Sequence, residues 1–322
     1  MNSIPPFGFR RDLPRWQHLV TPAWVAGLVA GAAIATAPAG EWRLFEAGYG
    51  EGDAFAAGHI PGAGYLDTAW FEHGPLWNKV PDTELERVLL AHGIRHDVTV
   101  ILYGRNVLAA ARIAHLLLYA GVADVRLLDG GFAAWQRAGL PLEAGPPRQW
   151  AASGDFGVPF PARPDCLFDT GQVRSLLERG HGTLASIRTW AEFTGATSGY
   201  DYIAARGEIP GARWGRAGAD GDVNSMAAYQ HGDGRMLPAA AIRAMWHDAG
   251  IDAGRLTVFY CGTGWRASLA FFYAWLLGWD RIAVYDGGWC EWSRDPAHPA
   301  APAQIHIAAG SFNTCRAVPL SR

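Results

Sequence analysis

Cys261 is the residue around which chemistry can be built in this chain. It opens the run Cys261-Gly262-Thr263-Gly264-Trp265-Arg266. The apolar, partly β-branched stretch Leu256-Thr257-Val258-Phe259 precedes it, and an apolar helical pattern from Leu269 to Leu277 follows. The cysteine is therefore expected where a strand ends and a helix begins. Loop amides and a helix N-terminus aim N–H groups and positive dipole at one point. Glycines let the backbone curl so that those groups converge. Such a setting suits a thiolate better than a packing cysteine, and a thiolate is a nucleophile. Arg266 closes the loop with a guanidinium able to pair with an anionic donor or a charged sulfur.

Two more motifs accompany the loop. Gly207-Glu208-Ile209-Pro210-Gly211-Ala212 lies upstream, and Asp286-Gly287-Gly288-Trp289, with Trp292 beyond it, lies downstream. Together the three segments resemble, in order, the elements of the rhodanese sulfurtransferases. In that family the loop cysteine carries a persulfide. The resemblance implies that Cys261 is catalytic and that Gly262, Thr263, Gly264, Trp265 and Arg266 form the cradle around its sulfur. It also implies a donor-binding role for Arg188 of Ser186-Ile187-Arg188, together with Arg266. Arg188 matches the arginine of the family's D-x-R element, although Ser186 stands in place of the aspartate. Trp265 and Thr263 are expected to shape the pocket mouth. Asp286 reads as a turn residue capping the next helix rather than as a catalytic acid. Cys290, in a predicted helix, reads as a packing cysteine.

The elements that must position this loop occur twice. Gly58-His59-Ile60-Pro61-Gly62-Ala63 mirrors Gly207 to Ala212, and Asp129-Gly130-Gly131-Phe132-Ala133-Ala134-Trp135 mirrors Asp286 to Trp292. Tyr103 to Asp129 and Tyr260 to Asp286 are equal intervals, so the copies overlay without a gap. The overlay puts Gly104 opposite Cys261 and Ala109 opposite Arg266. The first copy has no nucleophile there, and its role is structural or that of one wall of the site. The resemblance is thus to tandem rhodaneses with an inactive first and an active second domain. Apolar runs such as Val98 to Leu102 and Val125 to Leu128 read as buried strands, with a helical pattern from Leu108 to Tyr119 between them. Strands alternating with helices predict an α/β fold, each domain a parallel sheet flanked by helices. The expected boundaries are 19–143 for the inactive domain, 144–165 for a Pro/Gly/Ala-rich linker, 166–295 for the catalytic domain and 296–322 for a tail. Relative to the first domain, the second is expected to carry insertions at Thr197 to Tyr202 and around Tyr229 to Leu237.

Composition agrees and excludes alternatives. The 322 residues predict two domains, and half of them are hydrophobic. A net charge of −3 shows no basic footprint for nucleic acid. Most of the fifteen tryptophans are expected in the cores or between the domains. Cys166, Cys261, Cys290 and Cys315 show neither metal-ligand spacing nor a disulfide framework, so no metal and no cofactor are expected. A working thiolate suits a reducing, cytoplasmic setting. Arg10-Arg11 before the apolar stretch Leu19 to Ala39 could mark an export signal. Pro22 and Pro38 interrupt that stretch, and Leu19 to Val25 resembles a first strand and helix, so a folded segment is expected. A transmembrane helix is not.

The expected reaction is a double displacement: Cys261 takes a sulfane sulfur from thiosulfate and gives it to cyanide or a thiol. Arg266, and Thr194 in place of a second arginine found in mercaptopyruvate enzymes, tilt the donor toward thiosulfate, with 3-mercaptopyruvate as the alternative. A persulfide carrier or scaffold docking a protein partner, with a protein thiol as acceptor, is the reading of another class. Phosphatases of related fold have a longer cysteine loop, which disfavours that chemistry here.

Overall fold

The computed structural model describes residues 8–300. Most of the expected tail, and Cys315 within it, lies outside the described residues.

The first half contains β1 (Leu19–Val20), α1 (Pro22–Val29), β2 (Trp42–Gly48), α2 (Gly52–Ala57), β3 (Gly64–Asp67), β4 (Glu72–His73) and β5 (Asn78–Lys79). It continues with α3 (Asp82–Ala91), β6 (Thr99–Tyr103), α4 (Val107–Ala120), β7 (Val125–Leu128) and α5 (Gly131–Arg137). The second half contains β8 (Leu167–Phe168), α6 (Thr170–Arg179), β9 (Gly182–Ser186), α7 (Trp190–Phe193) and β10 (Arg213–Trp214). After these come α8 (Ala239–Asp248), β11 (Leu256–Tyr260), α9 (Trp265–Leu276), β12 (Ile282–Tyr285) and α10 (Gly288–Trp292).

Each half builds a five-stranded parallel sheet, ordered β1-β7-β6-β2-β3 in one and β10-β9-β11-β12-β8 in the other. The central strands are continuous apolar runs because helices cover both sheet faces. Thr99–Tyr103 is buried at every residue. The registers repeat too: Glu46 pairs with Tyr103 in the first sheet as Ser186 pairs with Tyr260 in the second. The stretch at Leu19 is β1 followed by α1, capped by Thr21 and begun by Pro22, and β1 extends the sheet beside β7.

The helices following the two equivalent loops, α4 and α9, pack on each other across the centre of the molecule. Both are buried almost all round, as an apolar helix between two sheets must be. Their residues join one hydrophobic core running through both halves.

Two hairpins cross that boundary in opposite directions. The β4–β5 hairpin of the first half reaches the second, where Lys79 N–H donates to Asp286 at 2.9 Å. The segment Gln230–Met236 of the second half makes the same antiparallel turn and reaches the first, where Met236 N–H donates to Asp129 at 2.8 Å. Each hairpin leads into a helix entered through proline, Pro81 before α3 and Pro238 before α8. The stretch around Tyr229 to Leu237 is therefore not an insertion; its counterpart is residues 71–80. Asp286 and Asp129 are not helix caps either, since neither α10 nor α5 has a side-chain cap. They are the acceptors that tie each half to the other's hairpin.

The segment 144–165 is a packed strap rather than a loose spacer. Trp150 packs at a tilt against Phe45, with ring centroids 4.7 Å apart, and Phe156 is fully buried. Backbone bonds from Arg148 to Ala63, Ser153 to Leu90 and His96 to Phe156 fix it along the first half.

Candidate active site

Cys261 follows the last residue of β11, and four residues later α9 begins. The Gly264 N–H donates to Cys261 Sγ at 3.2 Å. The loop is clamped from behind by the Asp-Gly-Gly turn. Trp289 N–H donates to the Cys261 carbonyl at 2.8 Å, and Cys290 N–H to the Gly262 carbonyl at 3.0 Å. Two glycines are dictated by this geometry. Gly264 takes a left-handed φ of +102° at the entry to α9. A side chain at Gly262 would fall 2.2 Å from the Tyr200 ring.

The two arginines expected at the donor are each partly paired with a buried carboxylate. Arg266 is 1% exposed, and its guanidinium makes two bonds of 2.8 Å to Glu192 and a third of 2.8 Å to the Tyr200 hydroxyl. It still lines the cavity described below. Arg188 is fully buried and lies outside that lining. It donates to the Gly207 carbonyl at 2.7 Å, pairs with Glu208 at 3.4 Å and lies 3.8 Å from Glu192. Burial alone would raise Glu192, yet the Arg266 guanidinium holds its carboxyl below the usual range. Burial pushes Glu208 up to about 7, opposed by Arg188. Ser186, standing for the aspartate, donates to Glu208 at 2.7 Å. Each arginine thus has a carboxylate partner, while Arg188 Nε and Nη2 and Arg266 Nε are buried donors without a hydrogen-bond partner among the described residues.

A cavity of about 260 Å³ opens above the loop, between the halves. Thr263, Trp265, Arg266, Tyr200 and Tyr202 line it from the second half, and Tyr49, Glu72, Trp77 and Leu108 from the first. Thr263 and Tyr202 both line it with a hydroxyl. Tyr202 belongs to the expected 197–202 insertion, so that segment does reach the site. Trp265 stands in the wall and donates through Nε1 to Glu72. Glu72 also accepts from Arg112 Nε at 2.9 Å, and Arg112 donates from its other end to Asp286 at 2.6 Å. Burial pushes the Glu72 carboxyl up to about 7, against the pull of Arg112.

Sequence reasoning missed Glu72, Glu192, Arg112 and the first-half aromatics. Glu192 did carry a signal, as the third residue of a Thr189-x-x-Glu192 capping box, which the structure forms. Cys290 is fully buried in α10. The first-half loop is closed: a side chain at Gly104 would lie 2.5 Å from the Asn106 carbonyl and 2.9 Å from that of Ala47. Arg105 pairs there with Glu46 at 2.9 Å and lies 4.2 Å from the Phe132 ring centre. Among the described residues no cluster could hold a metal ion, and no helix is long and apolar enough to cross a membrane.

Comparison with known proteins agrees with this geometry. The rhodanese-like domain profile matches twice, over residues 41–138 and 169–295. The thiosulfate sulfurtransferase YnjE of Escherichia coli is 51% identical over 91% of this chain and 67% of its own. The putative thiosulfate sulfurtransferase SseB of Mycobacterium tuberculosis is 32% identical over 88% of this chain and 97% of its own. The crystal structure of YnjE superposes with a TM-score of 0.87, covering 91% of this chain and 70% of that one. An anaerobic ergothioneine biosynthesis enzyme from Chlorobium limicola, solved with trimethyl histidine, superposes with a TM-score of 0.84 at 37% identity, covering 89% of this chain and 71% of that one. With two matching domains and one loop cysteine between them, the chain belongs to the rhodanese-like family of sulfurtransferases.

Proposed function

We propose that Cys261 carries sulfane sulfur from thiosulfate to a thiol or cyanide. The observation that carries this reading is the Gly264 N–H on the buried Cys261 Sγ, in the loop whose Thr263, Trp265 and Arg266 line the interdomain cavity. The Cys261 thiolate attacks the outer sulfur of thiosulfate. The donor's S–S bond breaks, and its electron pair leaves with sulfite. The acceptor nucleophile then attacks the outer sulfur of the persulfide, and the electron pair of that S–S bond returns to Cys261 as thiolate. Loop N–H groups stabilise the negative sulfur in both half-reactions, as an oxyanion hole does for oxygen. The thiosulfate assignment is supported by the names of the relatives, not by the arginines. A second reading, 3-mercaptopyruvate as donor, is favoured by the Thr263 and Tyr202 hydroxyls in the cavity lining and by the carboxylate partner of each arginine. A free Cys261 thiolate is best served by the reducing cytoplasm.

Intact mass tests the reading. Exposure to thiosulfate is expected to add about 32 Da, one sulfur, removed by cyanide and absent in Cys261→Ser. Faster loading from mercaptopyruvate would move the donor assignment. No loading from either would shift the reading to a carrier loaded by a protein partner.

A further inference from the structure

The cavity mouth is built for a positive charge, although the donor named above is an anion. Three aromatic rings form a continuous wall. Tyr49 and Trp77 meet edge to face with centroids 5.7 Å apart, and Trp77 and Tyr202 lie 6.3 Å apart. Tyr49 and Tyr202 are 52% and 49% exposed and, with Trp77, form a contiguous exposed aromatic patch. Trp77 is held at a left-handed φ of +63°, rare for a bulky side chain and a form of strain that gathers at ligand sites. Trp265 and Glu72 complete the enclosure.

The charges beside it do not balance. Arg266 and Arg188 are matched by Glu192 and Glu208. Arg112, fully buried, faces two buried carboxylates, Glu72 and Asp286. The nearby Lys79 ammonium is committed to Asp82 at 2.6 Å. Burial pulls His115 down to about 4, so it adds no charge near neutral pH. One negative charge is left over at the cavity edge, before that of the Cys261 sulfur is counted. A buried charge without a partner is costly. A proton on Glu72 relieves that cost, and so does a cation in the cavity.

We propose that the sulfur acceptor is a small thiol bearing an ammonium group, quaternary or protonated, held against Tyr49, Trp77, Tyr202 and Trp265 beside Glu72. Aromatic faces attract such a cation through the ring quadrupole, and a carboxylate strengthens the attraction. This rests on the persulfide reading above and names its second substrate. The acceptor thiol gives its proton to solvent, and its thiolate attacks the outer persulfide sulfur. A new S–S bond forms on the acceptor, and the electron pair of the broken bond returns to Cys261. Because loading and unloading are separate half-reactions, an anionic donor has left as sulfite before the cation enters.

Two measurements on the full chain separate this proposal from the reading beneath it. The first titrates choline and its uncharged isostere 3,3-dimethyl-1-butanol, followed by tryptophan fluorescence. Choline is expected to bind about tenfold more tightly, and Tyr49→Leu and Tyr202→Leu, checked for folding by circular dichroism, to lose that preference. Equal affinities, or a preference that survives both substitutions, overturn the cation site. The second presents persulfide-loaded protein with thiocholine or with 2-mercaptoethanesulfonate. Transfer to thiocholine is expected to be at least about tenfold faster. Equal rates, or faster transfer to the sulfonate, overturn the acceptor assignment. A chain that never loads sinks the persulfide reading and the acceptor role with it, while the choline titration still decides the site.

Discussion

Replacing Glu192 by glutamine should weaken the fold while improving capture of an anionic donor. Among the described residues Glu192 is the sole carboxylate bonded to Arg266; it stands 3.8 Å from Arg188, and all three side chains are at most 1% exposed. Removing one partner of a buried ion pair costs about 3–5 kcal/mol, because the other charge stays buried. The lower end applies here. Arg266 keeps the Tyr200 hydroxyl, Arg188 keeps Glu208 and the Gly207 carbonyl, and glutamine keeps one acceptor oxygen. About 3 kcal/mol corresponds to a melting temperature lowered by roughly 6–12 °C for a domain of this size. The local cluster meanwhile changes from balanced to one net positive charge at a side chain lining the cavity. A tenfold lower thiosulfate KM for persulfide formation, about 1.4 kcal/mol, is a modest share of that charge. Thermal melts and mass-resolved loading at several thiosulfate concentrations measure both. Unchanged melting together with unchanged KM would refute the view that Glu192 neutralises a buried cation at the expense of donor binding.

Two other outcomes follow from particular contacts. Gly104→Cys should not revive the first loop, because its Cβ would press on the Asn106 and Ala47 carbonyls at 2.5 and 2.9 Å; in a Cys261→Ser background, persulfide mass at that cysteine would contradict the steric reading. Glu72 should make stability depend on pH. Its folded pKa, about 7, lies above its ordinary value of 4.5, so the fold favours the protonated form. Its contribution is full below about 4.5 and is lost as pH rises through about 7, by up to roughly 3 kcal/mol. Urea midpoints across that window should fall less steeply in Glu72→Gln, and identical slopes would show that Glu72 does not titrate there.

Much of this architecture was legible because it is local or repeated. The strand–loop–helix around Cys261 follows from a β-branched run, two glycines and an apolar helical pattern. The paired sheets follow from two overlaid copies of the same motifs. The part that stayed hidden depends on what folding brings together. Glu208 sits inside a recognised motif, and Glu192 in a capping box, yet neither announces that it will neutralise an arginine. Arg112 lies in an apolar helix of the inactive copy, where nothing nearby in sequence names Glu72 or Asp286 as its partners. The crossing hairpins escaped because Glu72 to Lys79 and Gln230 to Met236 share backbone geometry but almost no residues. The contact each hairpin makes across the boundary is through a backbone N–H of its second arm, and an amide leaves no mark in the sequence.

The exchange of hairpins also divides labour between the two copies. The half bearing Cys261 supplies the cysteine loop and one side of the cavity, whereas Tyr49, Glu72 and Trp77 on the other side belong to the half with Gly104 at the equivalent position. Substitutions in the silent copy can therefore redirect substrate choice without touching the cysteine loop. Selection can thus reshape one wall of the cavity in a stretch of the gene separate from the one that encodes the cysteine loop.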